Sequence, residues 1–305
     1  MHRQSPLDGR TVVVTGAARG LGEAMARALV RRGARVALLG LEEDRLGRLA
    51  AQLGDRAHSW QVDVGDDEAM SFTAGLVRER LGPLSAVVAN AGVAAAGPFE
   101  DTPPATWRRV VEINLVGSAN TARAFLPDLI ASRGYYLQIT SLAALGPAPM
   151  MSAYCASKAG AEAFAHTLRA EVAHRGVGVG VAYLSWTDTE MIREDAPPPT
   201  PLTELRAWLP WPASRTHGVE PSAERLVRGV ERRSPAVYVQ PWLRGVRFAR
   251  SALPGAVGRL AGAPVRRFAA EEHPADEGLL GAGGRAAETR PNGPTAPDPY
   301  RQPGP

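Results

Sequence analysis

The chain has 305 residues, 45% hydrophobic and 22% charged, which are the proportions of a globular protein long enough to bury one substantial core. Its formal net charge is only +4, and acids alternate with bases in stretches such as Glu42, Glu43, Asp44, Arg45 and Arg48, so these are solvated helix faces and no nucleic-acid partner is expected. One cysteine, Cys155, excludes an internal disulfide or a cysteine-built metal site, and without a signal-like start or an apolar run of about 18 residues a cytoplasmic protein is expected.

A β-branched apolar run at 11–15 comes first, followed by a helical pattern at 21–32. Further strands are expected at 35–39, 58–62, 86–89, 135–140, 178–184 and 236–239. Helices are expected between them, at 42–53, 66–80, 105–130, 152–175 and 222–232. This rhythm predicts an α/β fold over 7–240: a single doubly wound Rossmann domain with a seven-stranded parallel sheet. Continuous apolar strands such as Thr11-Val12-Val13-Val14 suit burial on both faces. Ligands of such a sheet bind beyond the carboxyl ends of its strands, where the connections change direction.

The segment 196–212 crowds prolines around Trp208 and Trp211 and reads as a loop over a site. Residues 241–284 are expected to form a C-terminal helical extension. Within it, 242–253 sets Trp242, Leu243, Val246, Ala249 and Leu253 against Arg244, Arg247 and Arg250. Such a helix docks on its own domain or a neighbouring subunit, with peripheral contact to an anionic membrane as the alternative. The Pro/Gly-rich end, 285–305, is predicted to be a disordered tail.

Thr15-Gly16-Ala17-Ala18-Arg19-Gly20-Leu21-Gly22 directly follows the first strand and opens the first helix. Glycines there permit a tight turn and close approach to a pyrophosphate, while the helix start offers N–H donors and a positive dipole end. A second signal is compositional. The 35 basic residues comprise 34 arginines and Lys158 alone. Arginine replaces lysine at little cost on a surface but not where a compact ammonium must donate in several directions, so position 158 requires its lysine. Tyr154 lies four residues earlier, which on a helix puts both side chains on one face. A phenol with pKa near 10 is a poor proton-transfer group at neutral pH, and a neighbouring ammonium favours its phenolate.

The spacing Gly-x-x-x-Gly-x-Gly, followed in order by Asp63-Val64, Asn90-Ala91-Gly92, Asn114, Ser141 and Tyr154-x-x-x-Lys158, resembles the short-chain dehydrogenase/reductase family from about residue 7 to 239. The resemblance implies a nicotinamide-dependent oxidoreductase that interconverts a hydrophobic secondary alcohol and ketone, or reduces an aldehyde. It makes Tyr154 the general acid/base and Lys158 its ammonium partner and a holder of the nicotinamide ribose. Ser141 would hydrogen-bond the substrate oxygen, and Asn114 would position a water that links Lys158 to solvent. Cofactor contacts would come from Gly16, Ala18, Arg19, Gly20, Leu21, Gly22, Asp63, Val64, Asn90, Ala91, Gly92, Tyr154, Lys158, Thr187 and Thr189. A homodimer or homotetramer is implied, paired through the two long helices. A nucleotide sensor without chemistry, or an epimerase or dehydratase on the same fold, are the alternatives.

Two places depart from the family pattern. The acid expected at the end of the second strand is Gly40, followed by Leu41; Arg19 could then pair with the 2′-phosphate of NADP, whereas Glu42 or Glu43 could hold the ribose hydroxyls of NAD. The reading leans to NADP. After the sixth strand Leu184-Ser185 replaces the usual Pro-Gly, which alters backbone restriction where the nicotinamide sits. Expected pocket residues are Ala143, Leu145, Met150, Met151, Trp186, Met191 and the Trp208/Trp211 loop, an apolar set suited to a hydrophobic substrate. Trp186 could equally be core. His166 and His174 lack a third ligand, so no metal is expected.

Overall fold

A computed structural model describes residues 5–190, 206–262, 266 and 278–288. Seven parallel strands form one sheet: β1 Thr11–Thr15, β2 Arg35–Gly40, β3 Ala57–Gln61, β4 Leu84–Ala89, β5 Tyr135–Ile139, β6 Gly178–Tyr183 and β7 Ala236–Tyr238. Their order is β3-β2-β1-β4-β5-β6-β7. Sequence order therefore reverses between β1 and β4, and the cleft beyond their carboxyl ends is the one this topology reserves for ligand.

Alternation along the strands divides the core in two. Val13, Leu39 and Val87 face one layer of helices. Val12, Val14, Leu38 and Val88 face the other. The helices that follow β1, β2 and β6 are α1 Gly20–Arg31, α2 Glu43–Leu53 and α7 Val219–Glu231, and they cover the second face. The first face is covered by α3 Asp67–Leu81, α5 Gly117–Ser132 and α6 Ser152–Val172. All five residues of β1 are buried, which explains its unbroken apolar run.

The helix expected over 105–130 is interrupted. It runs as α4 Pro104–Val111, a π-helical turn at Glu112–Val116, and α5. A π-turn inserts one extra residue into the helical ladder, an arrangement frequent at functional sites, and here it carries Asn114.

Beyond β7 the chain forms α8 Leu243–Phe248 and α9 Leu253–Leu260. Leu243 is fully buried, with Trp242 and Val246 packed on the same core as α5 and α6. Arg247 donates to the hydroxyls of Tyr183 (3.2 Å) and Tyr238 (3.1 Å), and Arg250 donates to Glu162 of α6 (3.2 Å). The apolar face of 242–246 thus docks on its own domain, as the first of the two expectations for this segment has it. The four residues 285–288, expected as the start of a disordered tail, end a helix, α10 Gly281–Glu288, whose Leu279 neighbour is buried. The remainder of that tail, 289–305, lies outside the described residues. Among the described residues no helix is long and apolar enough to cross a membrane.

Candidate active site

The glycine turn between β1 and α1 is shaped by backbone requirements. Gly16 and Gly20 adopt φ of +63° and +53°, the left-handed region that glycine enters without a Cβ penalty. A Cβ on Gly22 would lie 2.1 Å from the Gly16 carbonyl oxygen, and one on Gly16 would lie 2.8 Å from Ala91 Cα. The turn is pinned to the end of β4 as well. Asn90 Nδ2 donates to the Thr15 carbonyl (3.0 Å), and the Asn90 and Ala91 N–H groups donate to Thr15 Oγ1 (both 3.0 Å). Gly22→Ala is expected to cost about 2–3 kcal/mol, because the neighbour is backbone and cannot rotate away. A thermal melt of the variant with and without dinucleotide checks this; an unchanged melt with unchanged cofactor stabilisation would remove the close-packing argument.

Tyr154 and Lys158 occupy the first two turns of α6, and the Lys158 Nζ stands 5.7 Å from the centre of the Tyr154 ring. Lys158 is buried, and its ammonium reaches the Ile139 carbonyl at 3.5 Å. Burial lowers its pKa from 10.5 to about 8. Burial also raises the Tyr154 pKa, while a hydrogen bond with Ser141 pulls it down. Between these two side chains desolvation of the phenolate prevails; the lowering expected from the sequence draws on Lys158 together with a positively charged oxidised nicotinamide. Ser141 follows β5, and its Oγ accepts from the Ala143 N–H at 3.2 Å. Asn114 is fully buried and its side chain is spent: Oδ1 accepts from Val93 N–H (2.8 Å), and Nδ2 donates to the Val93 carbonyl and to Ser157 Oγ (both 2.9 Å). Gly92 ties the group together. A Cβ there would come within 3.0 Å of Asn114 Oδ1 and 3.1 Å of Lys158 Nζ.

Gly92, Ser141, Tyr154 and Lys158 open onto a cavity of about 800 Å³, which runs from the glycine turn past Tyr154 and Lys158 to the C-terminal helices. Every cofactor residue expected from the sequence lines it: Gly16, Ala18, Arg19, Gly20, Leu21, Gly22, Asp63, Val64, Asn90, Ala91, Gly92, Thr187 and Thr189. Asn114 lies behind this wall. The cavity fits a nicotinamide dinucleotide: glycines leave room at the turn after β1, the first turn of α1 faces it, and the buried Ser185 Oγ on its wall has no hydrogen-bond partner. Thr187 Oγ1 donates to the Ser185 carbonyl (3.2 Å), and Thr189 closes on the turn, since a Cβ on Gly20 would lie 3.3 Å from its methyl.

Beside the glycine turn Arg19 Nε donates to Glu42 Oε2 (2.8 Å), and Arg19 also pairs with Glu190. Arg45 reaches the same two carboxylates, at 3.7 Å and 3.2 Å. Asp63 is held by Arg109 at 2.5 Å, a partner the sequence did not reveal because it arrives from α4.

The expected substrate wall needs correction. Ala143, Met151, Trp186 and Trp208 line the cavity. Leu145 is instead buried in the core, and Trp211 is 80% exposed. Met150 takes φ +63°, a strained turn residue that accepts the Gly97 N–H through its carbonyl (2.8 Å). Met191 lies outside the described residues, as does 196–205 of the expected loop. Trp242, Leu253, Val257 and Leu260 form the far wall, which sequence reasoning missed. The amphipathic pattern at 242–253 was the one available signal, and it does not reveal on what a helix docks. Among the described residues no three metal-ligating side chains cluster.

Residues 10–199 match the family described as short chain dehydrogenase. The "Probable oxidoreductase EphD" of Mycobacterium tuberculosis is 34% identical over 245 residues, which cover 76% of this chain and 41% of that protein. The chain thus spans less than half the length of that relative. SadH, also of M. tuberculosis, is 30% identical over 277 residues, covering 87% of this chain and 98% of SadH. Among solved structures, a short chain dehydrogenase/reductase from Burkholderia phymatum in complex with NAD has the same fold, with a TM-score of 0.70 at 24% identity over 81% of this chain and 94% of that one. From the matched residues, the ordered motifs and the sheet that presents them, the chain belongs to the short-chain dehydrogenase family.

Proposed function

We propose that the protein is a nicotinamide-dependent oxidoreductase that interconverts a hydrophobic secondary alcohol and its ketone, or reduces an aldehyde. The observation that carries this reading is the convergence of Tyr154, Lys158 and Ser141 on the same cavity as the glycine turn. The bound nicotinamide supplies the hydride in reduction and accepts it in oxidation. In reduction, the Ser141 hydroxyl holds the substrate oxygen and stabilises the negative charge that grows on it. Tyr154 donates its phenolic proton to that oxygen, and Lys158 steadies the phenolate left behind. Asn114, locked by Val93 and Ser157, keeps the π-turn and Gly92 aligned beside the ammonium. A screen of apolar ketones and alcohols with both cofactors, following the absorbance of reduced nicotinamide, tests the reading. A protein that binds dinucleotide and turns over none of them would favour a sensor instead.

For the cofactor, the sequence leans to NADP through Arg19. Two observations favour NAD. The Arg19 guanidinium is already matched by Glu42 and Glu190, and Glu42 lines the cavity just after β2, where it can accept from ribose hydroxyls and would repel a 2′-phosphate. Glu42→Gln is expected to shift the NAD:NADP ratio of kcat/KM toward NADP by about tenfold, equivalent to about 1.4 kcal/mol. A wild-type preference for NADP, or a ratio unmoved by the substitution, would defeat this assignment. The family resemblance also implies a homodimer or homotetramer paired through α5 and α6, which light scattering measures directly.

A further inference from the structure

The cavity changes character along its length. Among the described residues its charged wall residues are Arg19, Glu42, Asp63, Lys158 and Glu190, and all of them belong to the nucleotide half or the catalytic pair. Beyond Tyr154 the wall is apolar, with Met151, Trp186 and Trp242 followed by α9. Leu253, Ala256, Val257 and Leu260 of that helix line the cavity at i, i+3, i+4 and i+7, the spacing of one helix face. No residue of α9 is buried, and Leu260 is 67% exposed. Among the described residues an apolar stripe is therefore turned toward the active-site cavity and left uncovered.

The helix is also held in register with the catalytic loop. A Cβ on Gly146 would lie 2.7 Å from Leu253 Cδ1, so this glycine is the seat for Leu253. Arg250, just before α9, reaches both Glu162 on the Tyr154 helix and the Ala144 carbonyl (3.5 Å) in the turn after Ser141. The wall is thus fastened at both sides of the reacting centre. A stripe from 253 to 260 extends about 10 Å at 1.5 Å per residue.

We propose that α9 and the facing loop after Ser141 form a subsite for an extended apolar chain attached to the reacting carbon, so that the substrate is a long-chain alkyl ketone or the corresponding secondary alcohol. This rests on the oxidoreductase reading above. The hydride goes to the carbonyl carbon, the Tyr154 proton goes to its oxygen, and the alkyl chain lies along Leu253, Val257 and Leu260. Continuity with the catalytic pair selects substrate as the occupant over a second protein.

The test uses the full chain and a series of methyl alkyl ketones from butanone to tridecanone. kcat/KM is expected to rise roughly threefold to fourfold per added methylene, the burial gain of one CH₂, and to level off once the chain passes Leu260. Val257→Trp should lower the long-to-short ratio of kcat/KM at least tenfold. Leu260→Asp, on a side chain already exposed, gives a second variant that does not threaten the fold, and it should lower the ratio for the longest ketones alone. A flat chain-length dependence, or a ratio unmoved in both variants, overturns the subsite. Quenching of tryptophan fluorescence by a long-chain secondary alcohol separates the two readings. Chain-length-dependent quenching without turnover would leave the subsite standing and overturn the oxidoreductase, whereas no quenching and no turnover overturns both.

Discussion

Tyr154→Phe is expected to lower turnover by about 10³-fold while cofactor binding persists, since general acid–base groups contribute roughly 10²–10⁴. Phenylalanine keeps the ring, which packs against the core beneath α6, and removes only the hydroxyl that meets Ser141. The loss would therefore report the missing proton and not a collapsed pocket. The direction of the Tyr154 shift adds a second expectation. Burial raises its pKa, so at neutral pH the phenol holds its proton and is ready to donate. Carbonyl reduction should then be nearly flat through neutral pH, while alcohol oxidation, which needs the phenolate, should climb as pH rises. Wild-type turnover in the phenylalanine variant would remove Tyr154 as the proton donor, and an oxidation rate that falls as pH rises would contradict the raised pKa.

The strands and the nucleotide turn were legible because each depends on local chemistry. An unbroken Thr-Val-Val-Val run suits a strand buried on both sides, Gly16 and Gly22 sit where a side chain would strike backbone, and Gly20 takes a positive φ. Lys158 was legible from composition, as one lysine kept among 34 arginines. What depended on distant partners was not. The π-turn at Asn114 repeats no sequence pattern, and the 105–130 periodicity runs through it unmarked. The sign of the Tyr154 shift follows from burial, which adjacency to a lysine does not reveal. The partners of Arg19 were hidden in the same way: Glu42 and Glu190 pair with it, the latter from 171 residues away in sequence. The far wall of the pocket was hidden for the same reason: Leu253 meets Gly146 across more than a third of the chain.

Lys158→Met should be inactive and yet more stable than the wild type. Burial holds the Lys158 pKa at about 8, against 10.5 for the unperturbed amine. Below pH 8 the group is charged in both the folded and the unfolded chain, so the folded state bears the full cost of a desolvated ammonium. Between about pH 8 and 10.5 the unfolded chain binds more protons than the folded one, so stability attributable to this group rises with pH, and above both values the cost is gone. At about 1.4 kcal/mol per pKa unit the cost at neutral pH is on the order of 3–4 kcal/mol, or a gain of roughly 7 °C in Tm on removing the charge. Methionine is unbranched and can occupy the lysine stem's path, so little packing is lost. The gain should shrink toward zero as the melts are repeated at rising alkaline pH. Lys158→Arg tests the same site from the other side: the guanidinium is bulkier and planar, and position 158 is buried, so that variant should lose both stability and turnover. A methionine variant less stable than wild type at neutral pH would mean that the ammonium is compensated in the fold, and that the lone lysine is kept for structure instead of chemistry.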